Sequence, residues 1–265
     1  MKKNLFAVCM IGAGMSVFFA GCQHQVAPVE RGVDSIVINT TERLIQGDSL
    51  SPACDLRINL AYATPDDSIN RLINEAVAHA AFDYTGVTLP AAADSFANSY
   101  IARYHKELEP FYEKEKRKGE VGGWYNYEYE LRGSFVPARD SLQGYQLELI
   151  CYEGGAHGSH TISYMNFVPS TGQLLTLDDV FAPDYQEPLT HILLTALEEK
   201  LGVKTLDELH DNGFLTWTEM YPSKNFLLAP EGIRFYYNAY EIAPYAAGPT
   251  ELTIPYEAVK DLEKK

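Results

Sequence analysis

The order in which the hydrophobic period changes along this chain restricts its fold more than any other feature. Leu56, Ile58, Leu60 and Tyr62 alternate with Asp55, Arg57, Asn59 and Ala61, the two-residue period of a strand with one buried face. Asp66, Asp67 and Ser68 then supply a helix start, and Ile69, Leu72, Ile73, Ala76, Val77 and Ala80 recur at 3.6-residue spacing. A second helix is expected from near Asp94, with Phe96, Tyr100, Tyr104 and Leu108 on one side and Pro110 kinking or ending it. The charged run 113–118 reads as a solvated face. Alternation returns in Tyr125, Tyr127, Tyr129 and Leu131 and again over 145–152, which predicts neighbouring antiparallel strands.

Further along, 161–168 and 173–176 flank a Pro169-Ser170-Thr171-Gly172 turn. Leu189, Ile192, Leu193, Ala196, Leu197 and Leu201 form a helical stripe opened by Pro188, and Thr205 and Glu208 have capping-box spacing before another short helix. Late strands over 225–229, 233–238 and 250–255 precede a short helix over 256–262. No βαβ unit repeats. The order therefore predicts an α+β class, antiparallel sheets packed with helices, in two closely associated subdomains. The expected division is a signal peptide over 1–21, a tether over 22–50 with at most one short strand at 35–39, an N-terminal α+β part over 51–145 and a C-terminal α+β part over 146–265.

Lys2 and Lys3 lead into an apolar stretch from Leu5 to Phe19, closed by Ala20-Gly21-Cys22, the pattern of a secretory signal. Its ending resembles the bacterial lipobox, which implies a diacylglyceryl group on Cys22 and cleavage just before it. The expectation is an exported protein, lipid-anchored in the cell envelope, in the outer membrane where the organism has one because Gln23 rather than Asp follows the cysteine. No later stretch reaches the length of a membrane span, so the acyl chains on Cys22 are the expected attachment. With 46% hydrophobic residues the chain is not mainly disordered. Its 21 Lys and Arg against 36 Asp and Glu, a formal charge of −15, argue against a nucleic-acid partner. Cys9 departs with the leader, leaving Cys54 and Cys151, each on the apolar face of its strand; a disulfide between them and two separate buried thiols both fit that parity.

One set of residues carries a family likeness: Tyr152-Glu153-Gly154-Gly155-Ala156-His157-Gly158, Asn166, Gly172, Leu177-Asp178-Asp179-Val180-Phe181, Phe235 and Tyr240-Glu241-Ile242-Ala243-Pro244-Tyr245-Ala246-Ala247-Gly248. The pattern resembles the extracytoplasmic domain pair of RsiV-type anti-sigma factors, membrane proteins that bind lysozyme. Residues from about 160 to 260 carry most of the likeness, and about 54 to 140 are similar to the companion domain that also occurs fused to a peptidoglycan deacetylase. The resemblance implies a two-part α+β body exposed to the cell wall or its hydrolases. Sigma-factor control and deacetylation are not expected, since neither a sigma-binding segment with a transmembrane helix nor a deacetylase domain is read here.

Glu153, His157 and His160 are the nearest approach to a metal-binding set, but they sit in a glycine-rich segment without the His-Glu-x-x-His spacing. The competing reading is a tight crossing between strands permitted by Gly154, Gly155 and Gly158, with His157 bonded to nearby backbone. Ser159 beside His160 lacks any nucleophile elbow. Trp217, Tyr221, Tyr237, Tyr240, Glu241 and Tyr245 form a candidate binding surface, with packing in the core or in turns as the competing reading, and Tyr236 and Tyr237 must face opposite ways on a regular strand. The functional expectation is a non-enzymatic envelope lipoprotein binding a macromolecular ligand, a lysozyme-like hydrolase or a wall glycan, without catalytic residues or cofactor. A structural or assembly factor for another envelope protein, and a metal-assisted hydrolase using Glu153, His157 and His160, are the alternatives.

Overall fold

Two twelve-residue strands, Gly32–Arg43 (β1) and Ala53–Thr64 (β2), open the described part of the chain, residues 32–119 and 121–264 of a computed structural model. They pair antiparallel without interruption from Gly32 opposite Thr64 to Arg43 opposite Ala53. Cys54, Leu56, Ile58 and Leu60 of β2 are buried, as their alternation predicts. The expected tether, by contrast, ends earlier: β1 is far longer than the strand read at 35–39. It lies at a sheet edge where only Ile36 is buried, so its sequence shows little alternation. The leader and Cys22 lie outside the described residues.

Helix α1, Ser68–Phe82, is capped by Asp67, whose carboxylate accepts from the backbone of Ile69 and Asn70. Helix α2, Leu89–Lys116, starts at Thr88 and continues through Pro110. Tyr104, Leu108 and Tyr112 are buried along one stripe on both sides of that proline, and this packing outweighs the lost backbone hydrogen bond, so of the two expected effects of Pro110, a kink or an end, the end does not occur. The two helices cross over the sheet, so Tyr127–Pro137 (β3) returns parallel to β2, with Cys54 opposite Tyr127 and Leu60 opposite Gly133. Gln143–Tyr152 (β4), Ser159–Val168 (β5) and the short Gln173–Leu174 (β6) follow antiparallel, giving a six-stranded sheet in sequence order. Its inner face packs Leu56, Ile58, Leu131 and Tyr145 against Ile73, Val77, Tyr100 and Tyr104 of the helices.

The C-terminal part contains α3 (Leu177–Val180), α4 (Gln186–Leu201), α5 (Leu206–Asp211) and an antiparallel sheet of β7 (Phe226–Ala229), β8 (Gly232–Tyr237) and β9 (Thr250–Ile254), with α6 (Tyr256–Val259) behind it. Leu189, Leu193 and Leu197 of the predicted stripe are fully buried against Phe226, Phe235, Tyr237 and Ile254. Strand β4 runs across residues 145 and 146, so the hydrophobic core changes after Phe167 and before Leu177 instead. The result is an α+β fold with a larger and a smaller sheet.

The two sheets meet through asparagine side chains. Asn166 of β5 donates to the Phe226 carbonyl and accepts from the Leu228 N–H, both at 2.8 Å. Asn225 reciprocates, accepting from the Tyr164 N–H at 2.8 Å and donating to the Ile162 carbonyl at 2.7 Å, and Asn238 accepts from the Ile162 N–H at 2.8 Å. Each amide stands in for a strand's backbone where the sheets diverge. Beneath them Tyr164, Leu227, Ala229 and Tyr236 form a small separate core.

An aromatic surface held by two loops

The connection between β4 and β5, residues 153–158, and the connection between β8 and β9, residues 238–249, come together through their side chains. Gly154 and Gly155 have φ of +82° and +96°, conformations that glycine adopts without a Cβ penalty. A Cβ on Gly154 would lie 3.0 Å from the Trp124 carbonyl, so this turn rests directly on the backbone of the preceding segment. Glu153 is held by Arg103 of α2 at 2.6 Å, and the Tyr152 hydroxyl donates to the Gly155 carbonyl. The tight crossing predicted from the glycines is present.

His157 joins this turn to the second loop. Its ring stacks on Tyr245, with centroids 3.8 Å apart and planes 17° from parallel. The Gly158 carbonyl lies 3.0 Å from Nδ1 and can only accept, so Nδ1 carries a proton, and Nε2 lies 3.4 Å from the Tyr240 hydroxyl. The same Gly158 carbonyl accepts from the Tyr245 hydroxyl at 3.0 Å. Tyr240 is 56% exposed and Tyr245 38%, and Tyr240 holds a backbone φ of +73°, the left-handed region that disfavours a bulky side chain. The three rings form a layer open to solvent.

Glu241 serves inside the loop. Its carboxylate accepts from the Tyr221 hydroxyl at 3.2 Å and from the Asn238 amide at 3.3 Å. Burial, reinforced by that carboxylate, pushes the Tyr221 hydroxyl up to about 12. Tyr237 is a correction to the expected surface: it is fully buried and donates to the Tyr221 carbonyl at 2.6 Å. Strand parity decides this, because Tyr237 shares a face with Phe235 toward the second core while Tyr236 faces the small core between the sheets. Trp217, 53% exposed, lines a separate groove of about 680 Å³ with Leu194, Leu206, His210 and Met220.

The proposed metal set is not assembled. Glu153 belongs to Arg103, His157 to the tyrosines, and His160 bonds Glu148 at 2.9 Å. That last pair ends a charged ladder on the outer face of the large sheet, in which Arg57 pairs with Glu130, and Arg132 with both Glu130 and Glu148. Among the described residues no three His, Cys, Asp or Glu side chains are grouped to hold a metal ion. Cys54 and Cys151 are free thiols: they oppose Tyr127 and Tyr129, so β3 runs between their strands and separates them by two strand spacings, beyond the reach of a disulfide. Among the described residues no helix is long and apolar enough to cross a membrane.

The sequence profile of a family described as "Protein of unknown function (DUF3298)" matches residues 178–257. The crystal structure of a DUF3298 family member from Bacteroides fragilis is 33% identical, with a TM-score of 0.82 over 89% of this chain and 94% of that one. The chain belongs to the DUF3298 family. A DUF3298 protein of Pseudomonas aeruginosa PAO1, 19% identical over 88% of this chain and 94% of that one, shares the fold with a TM-score of 0.63. No curated protein matches the chain. In this DUF3298 protein the profile takes in Tyr240 and Tyr245, while His157 and its turn lie upstream of the matched segment. Asn166 stands in the family pattern without a role read for it, and Arg103, Trp124, Asn225 and Asn238 are not singled out by the sequence. Nothing local distinguishes them, since their partners lie tens of residues away.

Proposed function

We propose that this chain is a non-enzymatic binding module of the cell envelope, attached by lipid on Cys22, whose His157, Tyr240 and Tyr245 surface holds a basic, lysozyme-like wall hydrolase. One observation carries the reading: Tyr240 combines high exposure with a left-handed backbone. Such a conformation costs about 1–3 kcal/mol and is relieved by glycine, so its retention under an exposed aromatic ring argues for a contact outside the chain. Tyrosine suits that contact, offering a large rigid face at low entropic cost together with a hydroxyl. The loop from Tyr240 to Gly248 is also one of the segments that carry the resemblance to lysozyme-binding anti-sigma factors. A formal charge of −15 favours a basic partner and speeds its approach at low salt. The metal-hydrolase alternative loses support because each of its three candidate ligands already has a different partner.

Calorimetric titration of the purified chain with lysozyme tests the proposal. Saturable binding that weakens as salt is raised, and falls at least about tenfold in Tyr240→Ala and Tyr245→Ala, is expected. Saturable binding to soluble wall fragments but not to lysozyme would transfer the site to a glycan ligand. No saturable binding to either would remove the proposal.

A further inference from the structure

Among the described residues, strand β1 has one long unpaired edge, and the register with β2 identifies the groups along it. The backbone of Ala63 bonds the Asn74 amide, the Ala61 carbonyl accepts from Tyr145, and the Ala53 N–H donates to Asn126, so these odd-numbered residues of β2 direct their peptide groups away from β1. Their partners, Val33, Ser35 and Arg43, must then turn their own peptide groups to the opposite side, and so must Val37, Asn39 and Thr41 between them. Among the described residues no strand pairs with this edge; the Ser35 N–H is taken by the neighbouring Asp34 carboxylate at 2.7 Å. The charges of the strand lie toward its ends, where Asp34 and Glu42 share the inner-face parity of Ile36 and Asp34 covers the Ser35 N–H, but the stretch from Ile36 to Thr41 carries none. Residues 32–43 contain no proline and no lysine, their register has no bulge, and Val33 and Val37 are 58% and 59% exposed.

We propose that this edge pairs with the same edge of a second copy, giving a twofold dimer in which the two six-stranded sheets become continuous. A twofold axis perpendicular to the sheet preserves the face of every residue, so opposed residues share parity. With the axis at Val37, that residue meets its own copy and bonds it reciprocally. Ser35 then opposes Asn39 and Val33 opposes Thr41 on the outer face, and Ile36 opposes Ile38 on the inner face. Moving the axis to Ile38 sets Asp34 against Glu42, two like charges. Moving it to Ile36 sets the Asp34 carboxylate against Ile38. The Val37 register is therefore selected by avoiding both mismatches: Asp34 falls opposite the Thr40 hydroxyl, and the Ser35 N–H exchanges the Asp34 carboxylate for the Asn39 carbonyl of the copy.

Sedimentation equilibrium of the purified full chain, in detergent of matched density, tests this. The unaltered chain should dimerise reversibly. Val37→Lys and Val37→Glu should each weaken dimerisation at least tenfold while keeping the same circular dichroism and melting, since each places like charges on the axis. An equimolar mixture of the two should dimerise again, because opposite charges then meet. A monomeric unaltered chain, dimers that persist in both charged variants, or a mixture that stays monomeric would each overturn the proposal.

Discussion

Asn166 treats the backbone around Phe226 as a neighbouring strand would, giving a hydrogen to the Phe226 carbonyl and taking one from the Leu228 N–H at the same 2.8 Å. All three residues are buried. Replacing Asn166 with Leu keeps a similar volume but leaves one carbonyl and one N–H without partners. Each such group costs about 1–3 kcal/mol, so urea unfolding should show a loss of about 2–5 kcal/mol. A loss below about 1 kcal/mol would mean that the sheets are held by apolar packing alone.

Tyr237 and Tyr240 should separate stability from binding. Tyr237→Phe removes a buried donor to the Tyr221 carbonyl and should cost about 1–2 kcal/mol of stability with lysozyme affinity unchanged. Tyr240→Ala should do the reverse, lowering affinity with stability within about 0.5 kcal/mol of the unaltered chain or slightly raised. Paired melting and titration measurements distinguish them.

Gly155→Val should destabilise the fold by about 1–3 kcal/mol even though nothing lies within 4 Å of the added Cβ, because a β-branched residue is strained at a φ of +96°. Gly155→Ala should cost less. Unchanged melting in the valine variant would show that the turn readily adopts another conformation.

Alkali should weaken the fold through its buried thiols. Burial pushes Cys54 from its ordinary 9.0 up to about 12, and Cys151 from the same value to about 11. Below pH 9 both are neutral folded or unfolded, and their contribution is complete. As pH rises the unfolded chain loses these protons first, so stability declines from about pH 9 toward the folded values. Cys54→Ala should be less stable at about pH 8, from lost packing, but should decline less steeply toward about pH 10.5 in urea unfolding. Parallel declines in the two proteins would assign the alkaline loss to the tyrosines.

Much of the fold was legible from local period. The β2 alternation, the Leu189 to Leu201 stripe and the opposite facing of Tyr236 and Tyr237 were readable because each depends on residues within a few turns of one another. The full length of β1 was not, since a strand at a sheet edge has little reason to alternate. Nor was the continuation of α2 past Pro110, which depends on what Tyr112 packs against.

The candidate site divides in the same way. The glycines of the turn and the Tyr240 to Gly248 loop announce themselves in sequence, because backbone conformations closed to most residues demand particular ones. Which rings meet solvent, that His157 lies against Tyr245 instead of a metal, and that β3 keeps Cys54 from Cys151 were decided only when distant segments packed. Periodicity reports which face of an element is apolar. It carries no record of the element on the other side, and that pairing is set by the packing of the whole chain.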